Sequence, residues 1–139
     1  MRLFLDANVL FSAAQSIDGR ARGLFRLAEN GFCELVSSTH AINEARRNIL
    51  VKHPSAANDL EVLTDHLTRV PEGGPGLVSW ATGHGLPEND APILAAAAAA
   101  DADLLVTGDR RHFGQLFGKT VGKVRVVPLR EALQLVSRS

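Results

Sequence analysis

Short apolar runs alternate with longer helix-forming segments along the chain, and this alternation constrains the fold more than any other feature. It predicts strands at residues 2–5, 32–36, 103–106 and 121–127. It predicts helices after the turn at 6–8, at 18–31, 37–52, 55–67 and 111–117, from Pro92 through six alanines, and from Pro128 onward. Because strands that alternate with helices form parallel sheets covered on both faces, we expect an α/β three-layer sandwich. Its mostly parallel sheet would have about five strands, roughly the number typical of one domain, spanning residues 1–139.

One stretch does not follow this pattern. Residues 72–87 hold five glycines and two prolines, which are typical of turns and loops. The sequence leaves two interpretations of this stretch: a lid, or an irregular connection with one helical turn around Trp80.

Composition excludes several classes of protein. The 139 residues are 45% hydrophobic and 22% charged, which is typical of a globular chain. The single cysteine, Cys33, excludes an internal disulfide framework and suits a reducing compartment. No segment reaches the roughly 18 uninterrupted apolar residues of a membrane helix, and Asp6 interrupts the start before a signal peptide could develop. We therefore expect a cytoplasmic protein without membrane contact. Because 15 basic residues balance 15 acidic ones, nucleic-acid binding would require a local basic patch.

Three aspartates are expected at one edge of the sheet. Asp6 directly follows the first predicted strand, and Asp109 follows the strand at 103–106. Asp90 begins the alanine-rich helix that leads into that same strand. Ligands of parallel α/β sheets gather at the carboxyl ends of the strands, where all three acids would lie. Glu44 is a fourth candidate, on the flank of a helix that starts at the same edge.

Each acid also has a structural interpretation when it is taken alone. Asp6 and Asp109 lie in predicted turns, Asp90 suits a helix N-terminus, and Glu44 suits a solvated helix surface. The functional hypothesis depends on their convergence, because clustered carboxylates repel one another unless a cation compensates. Oxygen ligands without Cys or His favour Mg²⁺ or Mn²⁺ over Zn²⁺. Such a site suits phosphodiester hydrolysis by a metal-activated water.

Four motifs resemble the PIN-domain family in order and spacing over essentially the whole chain. They are Leu5-Asp6-Ala7-Asn8-Val9-Leu10, Asn43-Glu44-Ala45, Asn89-Asp90-Ala91-Pro92-Ile93-Leu94-Ala95, and Val106-Thr107-Gly108-Asp109-Arg110-Arg111-His112-Phe113. The resemblance implies a metal-dependent endoribonuclease like the VapC-type toxins of bacterial toxin–antitoxin pairs. It also implies a homodimer and a small antitoxin that covers the acidic groove. The segment at 72–87 carries no family motif.

The resemblance also implies roles for single residues. The acids that would hold one or two Mg²⁺ or Mn²⁺ ions are Asp6, Glu44, Asp90 and Asp109. Glu44 would either bind a second ion or orient the attacking water. Asn8 and Thr107 match positions that support the acids through hydrogen bonds.

Arginines and histidines are weaker candidates than the four acids. Arg110 and Arg111 adjoin Asp109, so we expect them to contact RNA phosphates. Further candidates are Arg46, Arg47 and the group Arg20, Arg22 and Arg26, which the pattern favours as solvated helix surface. The five histidines lack a metal-ligand spacing and are interpreted as scattered.

Two function classes remain open at this stage. The first is the nuclease, and the alternative is a catalytically silent PIN-like module that binds nucleic acid or protein. A receiver domain would need a lysine after the last strand, and a dinucleotide-binding domain would need G-x-G-x-x-G after the first strand. The sequence has neither.

Overall fold

Six short strands form one sheet in the computed structural model, which describes residues 1–138. The strands are β1 (Arg2–Leu5), β2 (Glu34–Ser38), β3 (Thr68–Val70), β4 (Leu104–Val106), β5 (Thr120–Val121) and β6 (Val124–Val127). Their order across the sheet is β3-β2-β1-β4-β6-β5, and every neighbouring pair is parallel except β5 and β6. The predicted α/β fold with a mostly parallel sheet is confirmed.

Helices cover both faces of this sheet. They are α1 (Ala7–Gln15), α2 (Arg20–Glu29), α3 (Thr39–Lys52), α4 (Ala57–Thr64), α5 (Gly74–Thr82), α6 (Ala91–Ala99), α7 (Arg110–Phe113) and α8 (Leu129–Arg138). Alternate strand residues point to opposite faces, so Leu3 and Leu5 pack with α1, α2, α4 and α8. Phe4, between them, packs with α5, α6 and α7 on the other face. Helix α3 contributes to both layers, through Ile42 on one side and Ala41 on the other.

The sheet has six strands where the sequence predicted about five. The run predicted as one strand at 121–127 is a hairpin of β5 and β6, because Gly122 has a φ of 62° and reverses the chain. Strand β3 is a three-residue edge strand with mostly exposed side chains, so no apolar run marks it in the sequence.

The glycine- and proline-rich stretch contains a regular helix rather than an irregular connection. Helix α5 covers nine residues and has proline in its first turn, where a missing N–H costs nothing. It packs closely on α6. A Cβ atom added at Gly73 would lie 2.5 Å from the carbonyl oxygen of Ala95, so glycine is required there for close approach rather than for flexibility.

Cys33 and two apolar side chains of α2 are removed from solvent to different degrees. Strand β2 begins at Glu34, so Cys33 lies just before the strand, where partial burial raises the pKa of its thiol and favours the unreactive form. Leu24 and Phe25 of α2 are buried in the core. None of the helices within residues 1–138 is long and apolar enough to cross a bilayer.

Candidate active site

All four predicted acids line one small cavity at the carboxyl edge of the sheet. Its volume is about 70 Å³, and the lining residues are Asp6, Ala7, Asn8, Glu44, Asn48, Asp90 and Asp109. Asp6, Asp90 and Asp109 are the N-cap residues of α1, α6 and α7, while Glu44 lies within α3. The topology thus brings together four carboxylates from four separate helices. Asn48, one turn after Glu44, was not singled out in the sequence, because it belongs to none of the motifs.

A hydrogen-bond network holds the Asp6 carboxylate in place. Its Oδ1 accepts from the Ala7 N–H at 2.7 Å, and its Oδ2 accepts from the Thr107 hydroxyl at 2.7 Å and from the Asn8 amide at 3.1 Å. The Asn8 side-chain oxygen in turn accepts from the Gly108 N–H at 2.6 Å. These bonds connect the ends of β1 and β4. Asn8 and Thr107 therefore lie where the expected supporting residues would have to be.

Burial makes Asp6 an unusual carboxylate. Its side chain is 2% exposed, and desolvation raises its pKa from 3.8 to about 6. The hydrogen bonds from Thr107 and Ala7 oppose this rise, whereas the charges of Glu44 and Asp90 add to it. A buried carboxylate without a cationic partner is destabilised as an anion, and a bound cation would offset that penalty.

His112 contacts two of the acids, so interpreting every histidine as scattered was wrong. Its Nδ1 lies 2.8 Å from Asp109 Oδ2 and 3.2 Å from Asp90 Oδ2. Its backbone N–H donates to Asp109 Oδ1 at 3.0 Å, so one residue contacts both oxygens of that carboxylate. The sequence did contain a signal: Asp109 and His112 are three residues apart at a helix start, which places their side chains on one face.

Asp90 and Glu44 retain free coordination capacity. The Asp90 side chain makes no capping hydrogen bond although the residue is the N-cap of α6. Burial raises the pKa of Asp90, the nearby His112 lowers it, and the charge of Asp109 raises it. Glu44 forms no ion pair with Arg47 in the described part of the chain. Asp90 is therefore at the helix N-terminus that its structural interpretation predicted, but without a capping bond, and Glu44 is a partly buried helix residue.

The donor set suits a divalent cation. Carboxylate oxygens of Asp90 and Asp109 and a ring nitrogen of His112 lie within 4.8 Å of one another, and Asp6 and Glu44 line the same cavity. No lysine or arginine lines it within residues 1–138. Carboxylates predominate, which favours Mg²⁺ or Mn²⁺, and the imidazole adds one softer ligand that the sequence interpretation had excluded.

The arginines proposed for RNA contact differ in their surroundings. Arg110 and Arg111 are exposed at the start of α7, directly after Asp109. Arg46 is paired with Glu61 of α4 through two bonds of 2.7 and 2.9 Å, and the Arg22 Nε donates to the Ala13 carbonyl at 2.6 Å. Arg46 and Arg22 therefore connect helices or turns of this chain.

The fold and the cavity together define an α/β protein with a mostly parallel sheet and its candidate site at the carboxyl edge of that sheet. The family profile described as PIN domain matches residues 2–111. This chain therefore belongs to the PIN-domain family. No match was found among curated protein sequences.

Several solved structures share this fold at low sequence identity. One is VapBC2 from Rickettsia felis, whose structure was solved with a DNA fragment from its promoter. It has 18% identity and a TM-score of 0.66, and the match covers 92% of this chain and 98% of that chain. PAE2754 from Pyrobaculum aerophilum has 18% identity and a TM-score of 0.69, with 100% and 97% coverage. FitAcB from Neisseria gonorrhoeae has 17% identity and a TM-score of 0.58, with 92% and 98% coverage. At these identities, the likeness establishes the shared fold.

Proposed function

We propose that this chain is a metal-dependent endoribonuclease that hydrolyses phosphodiester bonds of RNA. One observation carries the proposal: carboxylates from four distant parts of the sequence line a cavity of about 70 Å³, and no lysine or arginine among residues 1–138 lines it. The acids Asp6, Glu44, Asp90 and Asp109 would hold one or two Mg²⁺ or Mn²⁺ ions. Membership of the PIN-domain family supports this assignment.

The surroundings of each site residue support a different role for it in the proposed reaction. A bound divalent ion would stabilise negative charge on the phosphoryl oxygens and lower the pKa of a water molecule. Asp6 would be a rigid ligand because three hydrogen bonds fix its carboxylate. His112 orients Asp109 by contacting both of its oxygens. The Glu44 side chain forms no hydrogen bond or ion pair within residues 1–138 and would bind a second ion or orient the attacking water.

The biological setting that we propose is the toxin of a toxin–antitoxin pair. Its support is the fold shared with VapBC2 and FitAcB over more than nine-tenths of this chain. The antitoxin would be a small protein that covers the acidic cavity, and the toxin would act in the cytoplasm as a homodimer. Co-purification with the product of a neighbouring small open reading frame tests this part independently of the chemistry.

Cleavage of a labelled single-stranded RNA tests the catalytic proposal. We expect the wild type to cleave the RNA with Mn²⁺ and not with EDTA. Asp6→Asn and Asp90→Asn should each lose this cleavage while remaining folded. Asp18→Asn removes the same charge from an exposed position outside the cavity and should cut like the wild type. Equal cutting by the wild type and both site variants would indicate a contaminating nuclease and refute the proposal.

The catalytically silent binding module predicts a different result. In that case, wild type and Asp6→Asn would bind the same RNA or protein partner equally, and neither would cleave RNA with any divalent ion. Binding measured on both proteins beside the cleavage assay therefore separates the two functions.

A further inference from the structure

A second, basic pocket lies beside the acidic cavity. Its volume is about 350 Å³, and its lining residues are Arg20, Gly108, Arg110, Phe117, Pro128, Leu129 and Arg130. The two spaces share a wall, because Gly108 lines the basic one and donates its N–H to Asn8, which lines the acidic one. Gly108 and Arg110 also flank Asp109 in the chain. We call the group of Arg20, Arg110 and Arg130 the arginine pocket.

Among the residues that the structure describes, the guanidinium groups of the arginine pocket have no acidic partner. All three residues are exposed, and none of them forms an ion pair or a side-chain hydrogen bond within residues 1–138. Glu131 follows Arg130, but its carboxylate is held by Arg125 at 2.6 Å. In a chain with 15 basic and 15 acidic residues, three unpaired arginines around one pocket form a local positive surface.

Two of these arginines occupy positions that do not stabilise their own helices. Arg20 is the first residue of α2, and Arg130 is the second residue of α8. Both stand at the positive end of a helix dipole, where cations are unfavourable and anions are favoured. The two helices pack against each other, so their N-terminal ends border the same pocket. An anionic ligand would relieve both the dipole effect and the mutual repulsion of the guanidiniums.

We propose that the arginine pocket binds the phosphate backbone of single-stranded RNA next to the bond that is cut. This inference rests on the proposed function. Guanidinium groups bind phosphate through paired hydrogen bonds, and the shared wall would let one strand pass from the pocket into the acidic cavity. Phe117, Pro128 and Leu129 supply an apolar surface beside the arginines, on which a base or ribose can pack. An acidic segment of a protein would also pair with these arginines, but its binding would not require the pocket to be continuous with the acidic cavity.

Salt-dependent RNA binding tests the pocket. Fluorescence anisotropy with a labelled single-stranded oligoribonucleotide, in EDTA and between 50 and 200 mM KCl, compares the wild type with Arg20→Gln/Arg130→Gln. The matched control is Arg26→Gln/Arg138→Gln, which removes equal charge from the last turns of the same two helices. Each lost phosphate contact lowers the slope of log affinity against log salt by about 0.7 for a single strand. Two contacts predict a slope smaller by about 1.4 and affinity about 25-fold weaker at 0.1 M salt.

Steady-state cleavage with Mn²⁺ supplies a second readout. We expect the pocket variant to raise KM by a similar factor with kcat within about twofold, since these arginines hold the strand away from the reacting bond. Circular dichroism on both double variants checks that they fold.

The outcomes separate the pocket from the nuclease. If the pocket variant matches the control variant in salt slope and in KM, the arginine pocket does not bind RNA, although cleavage by the wild type would still support the nuclease. If the salt slope depends on Arg20 and Arg130 but no protein cleaves RNA with Mn²⁺, the pocket assignment holds and the catalytic proposal fails. Wild-type protein that neither binds nor cuts RNA overturns both.

Discussion

Replacing Asp6 by asparagine should make the metal-free protein more stable at neutral pH, although it removes a residue of the proposed active site. The reason is the burial of this carboxylate, which is 2% exposed and has its pKa raised from 3.8 to about 6. Between these two values, the folded state binds more protons than the unfolded state. The stability of the wild type therefore falls as the pH rises from about 4 to about 6, and the loss is complete above that range.

The magnitude follows from the size of the pKa change. A difference of about two pKa units at roughly 1.4 kcal/mol per unit corresponds to roughly 3 kcal/mol at pH 7. Asparagine avoids this penalty and caps a helix as well as aspartate does. It loses one acceptor, because Asp6 Oδ2 accepts from both Thr107 and Asn8 and an amide nitrogen there cannot. The two lost hydrogen bonds cost roughly 2 kcal/mol together, at about 1 kcal/mol each. The net gain is about 1 kcal/mol at pH 7, and it should reverse near pH 4.

Urea denaturation in EDTA at pH 4 and pH 7 measures the effect. The control is Asp18→Asn, an exposed aspartate whose replacement should change the free energy of unfolding by less than about 0.5 kcal/mol. Millimolar Mn²⁺ should then stabilise the wild type and not Asp6→Asn, since a ligand stabilises only a folded state that binds it.

Two results would contradict this reasoning. If the Asp6→Asn variant is less stable than the wild type at pH 7 in EDTA, ionisation of the buried Asp6 carboxylate does not destabilise the folded state as argued. A stability difference that is the same at pH 4 and pH 7 would show that ionisation of Asp6 is not its cause.

Two further predictions concern the site and the scaffold. His112→Ala should weaken Mn²⁺ binding, measured by calorimetry, about 10- to 100-fold, because the His112 ring contacts two of the proposed ligands. The control His66→Ala, at an exposed position, should bind Mn²⁺ like the wild type. Equal affinities of the two variants would exclude a role for the His112 imidazole. Gly73→Ala should lower the free energy of unfolding by about 1 to 3 kcal/mol, since the new Cβ would lie 2.5 Å from the Ala95 carbonyl oxygen. The Cβ of Gly76→Ala, which lies inside α5, meets nothing within 4 Å, so this variant should be more stable by about 0.5 to 1 kcal/mol. Two equally stable variants would contradict the close approach of this segment to α6.

The sequence predicted an element or a cap correctly where a run of neighbouring residues marks it. The apolar run at residues 2–5 matches β1, and Asp6 directly after it is the N-cap of α1. The start of the alanine-rich helix placed Asp90 correctly at the N-cap of α6. Local patterns failed for β3, whose exposed residues carry no apolar run, and for α5, whose glycine and proline serve close packing and a helix start.

The alternation of strands and helices in the sequence suffices to predict that Asp6, Asp90 and Asp109 share one edge of a parallel sheet, because that edge is where the carboxyl ends of all strands meet. Tertiary packing alone sets the raised pKa of Asp6, the contact of His112 with Asp90, and the position of Arg20 and Arg130 around one pocket. These features depend on distances and burial among residues far apart in the chain, and no run of neighbouring residues encodes either quantity.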